Sequence, residues 1–235
     1  MLPAKYNVAT SVHEYGGGGF AYDNKRQAII FSNKHDSGVY LLDPASDDVK
    51  QVVQQDGWRF ADFDVSPNGW VVAIRETHDV ENDVPETVIN ELVIIHPDNQ
   101  EVKICVTGKD FYSQAKFSPD GKWLCWLEWD HPEMPWTGSL LQVAGFDDIE
   151  ASLSGTVHVA GAGRHEGLSQ PRWGVDSSLF YATDKTGFFQ LRKVEVGRWN
   201  VSSAVVNGLE ATEHAAAEFR LGRLVPHVRA ENDAR

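Results

Sequence analysis

Several features that mark common protein classes are scarce or missing in this sequence of 235 residues. Basic residues are few, with 21 Lys and Arg against 34 Asp and Glu, so the net charge is −13. A nucleic-acid partner is not expected, because phosphate binding needs clustered cations. The acidic balance indicates solubility or, alternatively, an acidic cavity that attracts the cationic N-termini of peptides.

Long apolar runs are also lacking. No run approaches the length of about 18 residues that a membrane-spanning helix needs, and the N-terminal segment lacks the apolar centre of a signal peptide. The only two cysteines, Cys105 and Cys125, lie within apolar strand patterns, which favours buried free thiols in a reducing compartment. We therefore predict a cytoplasmic protein with no membrane partner.

Recognisable cofactor, metal and catalytic motifs are missing as well. Gly16–Gly19 matches neither a dinucleotide-binding nor a phosphate-binding loop, and it indicates close backbone packing near an axis or, alternatively, close approach of a ligand. The nine histidines do not form a ligand set with metal-site spacing. The nearest approach to a serine-hydrolase elbow, Gly167–Pro171, lacks its second glycine. We predict no cofactor, no metal and no catalytic residue in this chain.

A repeated turn is the strongest positive signal. Ser66-Pro-Asn-Gly and Ser118-Pro-Asp-Gly lie 52 positions apart, and each is followed by a tryptophan. Gly174 and Ala21 begin the equivalent segments in the neighbouring repeats. Proline and an Asn/Asp-Gly pair fold one strand tightly onto the next, and a period of roughly 40–55 residues is typical of propeller blades. The pattern predicts an all-β fold, a partial β-propeller with about four four-stranded antiparallel blades.

The predicted blades divide the chain into a propeller at 1–206 and an irregular or helical tail at 207–235. The four blades fall at about 12–53, 58–107, 111–161 and 168–206. Each blade of a propeller packs against two neighbours, so four blades either close by themselves or form an arc with open ends. Open blade edges would favour self-association.

Several longer strings resemble one known domain. They are Val12–Gly19 (VHEYGGGG), Asn90–Leu92, Phe117–Gly121, Leu127–Trp136 (LEWDHPEMPW), Gln170–Trp173 and Thr183–Phe188. Together they resemble the β-propeller of acylaminoacyl-peptidase and dipeptidyl-peptidase-like members of the prolyl oligopeptidase family of serine peptidases. The resemblance covers about residues 5–219, and the first and fourth strings are its most specific parts.

This resemblance implies a function as well as a fold. In that family a seven- or eight-bladed propeller caps an α/β-hydrolase domain and restricts access to its Ser-Asp-His site. Compared with that pattern, the resemblance implies that this sequence begins about one blade late, stops about two or three blades early and does not include the hydrolase domain. We therefore expect a non-catalytic gating and docking domain, or its remnant, with a peptide substrate or a hydrolase domain or subunit as partner. The alternatives are a stand-alone scaffold for protein contacts and a repurposed propeller enzyme that uses its central cavity.

The loop that follows the third aromatic strand is the best candidate for a binding surface. Two prolines stiffen it, and it combines apolar contact area with carboxylates. The candidate substrate-binding residues are Glu128, Asp130, His131, Glu133, Met134 and Trp136, together with His13 and Glu14 beside the glycine run. The alternative is a rigid connector, with Trp126 and Trp129 packed between blades. The polar loop Thr77–Glu86 would add negative charge at a rim, or would simply be solvated.

Overall fold

The computed structural model describes residues 2–195, 204–206, 215, 221 and 222 of the chain. Within these residues it contains sixteen β-strands and one short 3-10 turn, Pro85–Thr87. The strands are β1 Phe20–Asp23, β2 Ala28–Ser32, β3 Val39–Leu42, β4 Val49–Val53, β5 Trp58–Val65, β6 Val71–Thr77, β7 Ile89–His96, β8 Glu101–Val106, β9 Phe111–Phe117, β10 Trp123–Trp129, β11 Leu140–Asp147, β12 Ser152–Ala160, β13 Leu168–Trp173, β14 Ser178–Thr183, β15 Gln190–Glu195 and β16 Ala204–Val205.

These strands form four sheets of four antiparallel strands, and in every sheet the spatial order follows the chain order. We number the sheets as blades 1 to 4; their innermost strands β1, β5, β9 and β13 pack against one another in that order. The predicted partial β-propeller with four four-stranded blades is therefore confirmed. The proposed boundary between propeller and tail stays a prediction, because most of 207–235 lies outside the described residues.

The repeated turn acts as its chemistry predicts. In blade 2 the hydroxyl of Ser66 accepts a hydrogen bond from the backbone N of Trp70 at 3.0 Å, and the N of Gly69 donates to the carbonyl of Ser66 at 2.9 Å. In blade 3 Ser118 accepts from the N of Trp123 at the same distance of 3.0 Å. The side chain thus satisfies a backbone donor where the ladder ends, which fixes the register of the two strands.

Blade-to-blade packing follows the alternation of side chains along each strand. In β10, Leu124 and Trp126 lie in one apolar cluster with residues of blade 2, whereas Cys125 and Leu127 lie in a second cluster with residues of blade 4. Blades 1 and 2 share a third cluster that contains Phe60. Burying a large side chain of this kind contributes about 2 kcal/mol, so three such clusters hold the four sheets together.

A bulge recurs in the innermost strands. Asp62, Gln114 and Gln170 have φ angles of 54°, 54° and 57°, and the pairing register of β5, β9 and β13 shifts around them. Gly18, just before β1, has the same left-handed conformation with φ 57°. The N of Asp62 donates to the carbonyl of Gly18 at 2.8 Å, and the Asp62 carboxylate accepts from the N of Gln114. The bulges therefore connect blades 1, 2 and 3 directly at their inner ends.

Gly18 tolerates no side chain. A Cβ added there would lie 2.8 Å from the N and Cα of Asp62, which is close packing of the kind expected from the glycine run. At Gly121, which also has a positive φ of 69°, the nearest atom would be a Pro67 side-chain carbon at an ordinary 3.4 Å.

We expect Gly121→Ala to lower the free energy of unfolding by about 1 to 2 kcal/mol, the cost of the left-handed conformation alone. Gly18→Ala adds a clash with backbone atoms and should lower it more, by something on the order of 3 kcal/mol. Urea unfolding of the two variants checks this, each serving as the other's control. Equal losses would show that the contact between Gly18 and Asp62 does not constrain the fold.

Candidate functional site

A cavity of about 740 Å³ lies where the inner strands of blades 3 and 4 begin. The turn that precedes blade 1 and the loop after β10 complete its wall. The main lining side chains are those of His13, Glu14, Glu76, His78, Asp83, Glu86, Asp110, Phe111, Gln114, Leu127, Trp129, His131, Met134, Trp136, Ser169, Phe189 and Leu221. We call this space the first cavity.

Aromatic rings form one wall of the first cavity. Phe111 and Trp129 are stacked, with ring centroids 5.5 Å apart and planes at 14°. The ring of His13 packs edge-on against both, at 5.2 and 5.9 Å, and the ring of His131 packs edge-on against Phe111 at 5.2 Å. Such a wall offers a flat, rigid surface for an apolar or aromatic group.

Carboxylates line another part of the first cavity. Glu14, Glu76, Asp83, Glu86 and Asp110 contribute them, and none of the described lining residues is Lys or Arg. The nearest cation that contacts them is Arg59, whose guanidinium lies 3.7 Å from both Glu14 and Asp83. The balance of charge among these described lining residues is therefore negative.

The acidic groups form a connected network. His78 contacts the Asp83 carboxylate through Nδ1 at 2.7 Å and the Glu76 carboxylate through Nε2 at 3.2 Å. Burial raises the pKa of Glu76, an effect that hydrogen bonds from His13 N and His78 partly offset. The hydrogen bond from His78 lowers the pKa of Asp83. Both ring nitrogens of His78 are thus in contact with carboxylates of this network.

His13 is held in the left-handed conformation with φ 54°, and its backbone N donates to Oε1 of Glu76 at 2.6 Å. Its Nε2 is buried and has no hydrogen-bond partner among the described residues. Burial lowers the pKa of His13 to about 4, against the opposing charge of Asp62 and the nearby Asn90 amide. His13 is therefore neutral at pH 7, and its ring contributes to the wall without adding positive charge.

The structure brings five of the eight predicted site residues together. His13, Glu14, His131, Met134 and Trp136 all line the first cavity. The loop is thus part of a cavity wall. Trp126 is packed in an apolar core cluster, as expected under the alternative of a rigid connector.

The other three predicted residues are not among those that line the first cavity. Glu128 is buried on the opposite face of β10, where its carboxylate accepts from Trp126 Nε1 at 2.7 Å and from Gln142 at 2.9 Å. Asp130 accepts from Lys109 Nζ at 2.6 Å, and Glu133 lies 3.7 Å from Arg164. Successive strand residues point to opposite faces, which places Glu128 away from the cavity that Leu127 and Trp129 line.

Several residues of the site come from elements that the sequence did not single out. Glu76 lies near the end of β6, His78 follows that strand and Asp110 precedes β9, so they meet only through the packing of blades 2 and 3. Their signal in the sequence is weak, because a polar residue at a strand end is equally typical of a solvated turn. The loop Thr77–Glu86 is expected either to add negative charge at a rim or to be solvated. Two of its acidic residues, Asp83 and Glu86, line the cavity.

Three general properties of the described residues complete the picture. Cys105 and Cys125 are both free, and burial raises the pKa of each thiol to about 12. Within the described ranges no three His, Cys, Asp or Glu side chains are grouped so that they could hold a metal ion. None of the helical segments found there has the length and apolar character to cross a membrane.

The buried neutral His13 predicts a pH dependence of stability. Its folded pKa of about 4 lies below the unfolded value of about 6.5, so the unfolded chain binds the proton more readily between these values. The stability that His13 contributes is complete above pH 6.5 and is lost as the pH falls towards 4. From pH 7 to pH 5 this loss should be about 2 kcal/mol, and His13→Gln should abolish it.

Urea unfolding at pH 7 and pH 5 measures the effect, with His35→Gln as the control because His35 is an exposed histidine. Since other groups such as Glu76 also titrate, the informative quantity is the difference in pH dependence between each variant and the unmodified chain. An unchanged pH dependence in His13→Gln would contradict the assignment.

Solved structures that are similar to this chain indicate its family. No protein-family model and no curated protein sequence matches the chain. Among solved structures, a puromycin-hydrolyzing peptidase of Mycobacterium tuberculosis is similar over 94% of the chain, with 26% identity and a TM-score of 0.80. A puromycin hydrolase is similar over 87%, with 27% identity and a TM-score of 0.74. Prolyl oligopeptidase B of Galerina marginata, at 12% identity and a TM-score of 0.56 over 81%, shares the fold.

The chain spans only about a third of the length of these proteins: 35% of the first, 33% of the second and 29% of the third. The similar structures are peptidases of the prolyl oligopeptidase family, and the part they share with this chain is made of propeller blades. The resemblance of the chain to the β-propeller domain of the prolyl oligopeptidase family is therefore confirmed.

Proposed function

We propose that the chain is the substrate-admitting propeller part of a prolyl oligopeptidase-family peptidase, and that hydrolysis belongs to an α/β-hydrolase domain or subunit that it pairs with. The chain is similar to about one third of each of two puromycin-hydrolysing peptidases. This similarity supports a propeller part that admits substrate and a separate part that hydrolyses it. The lack of a Gly-x-Ser-x-Gly elbow in the sequence agrees with a non-catalytic role. The free thiols of Cys105 and Cys125 support the proposed cytoplasmic location.

The observation that carries the proposal is the composition of the first cavity. An α-amino group at neutral pH is cationic, and five carboxylates with no lining Lys or Arg among the described residues would attract it. The stacked rings of Phe111 and Trp129 would contact an apolar side chain next to that amine. The substrate class we propose is therefore a peptide, or an aminoacyl compound such as puromycin, with a free α-amine beside an aromatic group.

Two carboxylates are the best placed to bind the amine. Glu14 is 82% exposed at the side chain, and its only ion pair among the described residues is the long 3.7 Å contact to Arg59. Asp110 accepts a backbone hydrogen bond from His131 at 2.9 Å and keeps its other oxygen available. Glu76, in contrast, is buried and already bound by two neighbours, so it would act by holding His13 and His78 in place.

The test compares two ligands that differ by one charge. Puromycin should bind the purified chain, and N-acetylpuromycin should bind at least about 10-fold more weakly because it has lost the cationic amine. Glu14→Gln and Asp110→Asn should each weaken puromycin binding by about 2- to 10-fold, since each removes one partly exposed carboxylate. Isothermal titration and quenching of tryptophan fluorescence measure both effects.

Glu133→Gln is the matched control. Glu133 is a carboxylate of the loop after β10, next to the cavity residue Met134, but it does not line the cavity itself. Equal binding of the two ligands, or equal weakening by Glu133→Gln, would refute the role proposed for the first cavity. Loss of puromycin affinity as salt rises from 50 to 500 mM would accompany a true ionic contact.

Self-association through the open side of blade 1 is a second part of the proposal. Phe20 and Tyr22 on β1 are 61% and 46% exposed, which is unusual for aromatic side chains of an inner strand. We expect sedimentation of the chain to show dimers that weaken on dilution, and Tyr22→Lys to shift it towards monomer. Val175→Lys is the control, since Val175 is 91% exposed in a turn of blade 4. A monomer at every concentration would exclude this contact.

A further inference from the structure

A second cavity of about 600 Å³ lies beyond the bulges, at the opposite ends of the inner strands. The repeated turns at Ser66 and Ser118 form part of its rim. Its charged lining residues are Lys25, Asp64, Lys116 and Arg172, so it carries three cations and one carboxylate. This composition contrasts with the first cavity and with the net charge of −13 of the whole chain.

Three of these charged residues occupy one position of the repeat. Asp64, Lys116 and Arg172 each lie two residues after a left-handed bulge, in β5, β9 and β13. Residues two apart on a strand share a face, and the innermost strands of adjacent blades lie side by side. Blades 2, 3 and 4 therefore each direct one charged side chain at the same space, which makes the second cavity a composite of three blades.

The cations are incompletely neutralised. Asp64 accepts a hydrogen bond from the N of Phe117 at 2.8 Å and lies 3.7 Å from Lys116 Nζ. Burial raises the pKa of Asp64, an effect that the charges of Lys116 and Arg172 and the hydrogen bond from Phe117 N partly offset. Lys25 donates to a backbone carbonyl, that of Asn68, at 2.8 Å.

Arg172 has the largest unused capacity to donate. One of its five N–H groups is directed to the carbonyl of Pro171 at 2.7 Å. No carboxylate of a described residue lies within ion-pair distance of its guanidinium. A planar guanidinium with free donors beside a second cation is the arrangement that binds a carboxylate through two parallel hydrogen bonds.

We propose that the second cavity is an anion site for the carboxylate of a peptide, with Arg172 as the bidentate partner and Lys116 as the neighbouring charge. Binding would give Arg172 a directly hydrogen-bonded carboxylate, whereas among the described residues Asp64 acts on it only through its charge. This site is separate from the first cavity and does not depend on the function proposed for it. The two cavities attract opposite charges, so a peptide with both termini free has a matching site at each end of the inner strands.

The test uses a ligand without an amine, so that it reports on the second cavity alone. N-acetyltrialanine should bind the full chain, and its C-terminal amide should bind at least about 10-fold more weakly. Arg172→Gln and Lys116→Gln should each reduce the affinity for the acid by about 10-fold, the effect of losing one charged hydrogen bond. Arg172→Lys should restore only part of it, because an ammonium cannot form the paired contact.

Lys50→Gln is the control for net charge, since Lys50 is exposed on the outer strand β4 and lies outside both cavities. Heteronuclear NMR titration measures affinity, and a thermal melt confirms that each variant is folded. Should Arg172→Gln unfold, Lys116→Gln still tests the site.

Equal binding of acid and amide, an equal loss in Lys50→Gln, or tighter binding of inorganic phosphate than of the acid would overturn the proposal. N-acetyl-aspartyl amide carries its carboxylate on the side chain and has none at the C-terminus, so it distinguishes these two sources. If it binds and its binding also depends on Arg172, the result supports a carboxylate site.

Discussion

The contact between successive bulges is the constraint on which the rest of the structure depends. Gly18, Asp62 and Gln114 all adopt the left-handed conformation, and hydrogen bonds join blade 1 to blade 2 and blade 2 to blade 3 at this point, the second of them through the Asp62 carboxylate. Apolar clusters alone would let the sheets slide, because the hydrophobic effect is not directional. Hydrogen bonds that join bulge to bulge fix the height of each blade relative to its neighbours. The residues of both cavities are positioned by that alignment.

The sequence predicts the fold better than the site, and the reason is physical. The turn at Ser118 is a local feature whose hydroxyl, proline and glycine act within a few residues, so a repeat of it can be recognised directly. A cavity is assembled from distant segments: Glu76, Asp110 and Trp136 reach the same space from two blades and a loop. Pattern alone cannot show which strand ends converge. The loop after β10 can be recognised because its prolines, aromatic residues and carboxylates are adjacent in sequence, and His13 and Glu14 because they adjoin the glycine run.

Glu128 shows how strand alternation separates residues that are close in sequence. It lies next to the loop in sequence, but the alternation along β10 places it beside Trp126, whose Nε1 donates a hydrogen bond to it at 2.7 Å. Leu127 and Trp129, on the other face, line the first cavity. The period of two residues was available from the sequence and would have separated Glu128 from Trp129. Asp130 and Glu133 lie beyond the strand, where no such rule applies and local ion pairs determine the direction of the side chain.

The arrangement of charge follows from the repeat itself. Because each inner strand passes its bulge at the same position, residues before the bulge belong to the acidic end and residues two positions after it to the cationic end. In blades 2, 3 and 4 the latter position holds Asp64, Lys116 and Arg172, and each of these lines the second cavity. A single substitution there changes the charge of the second cavity without altering the core, since the apolar clusters are built from other strand positions. A repeat fold can thus vary its ligand one blade at a time while the hydrogen-bonded bulges keep the blades aligned.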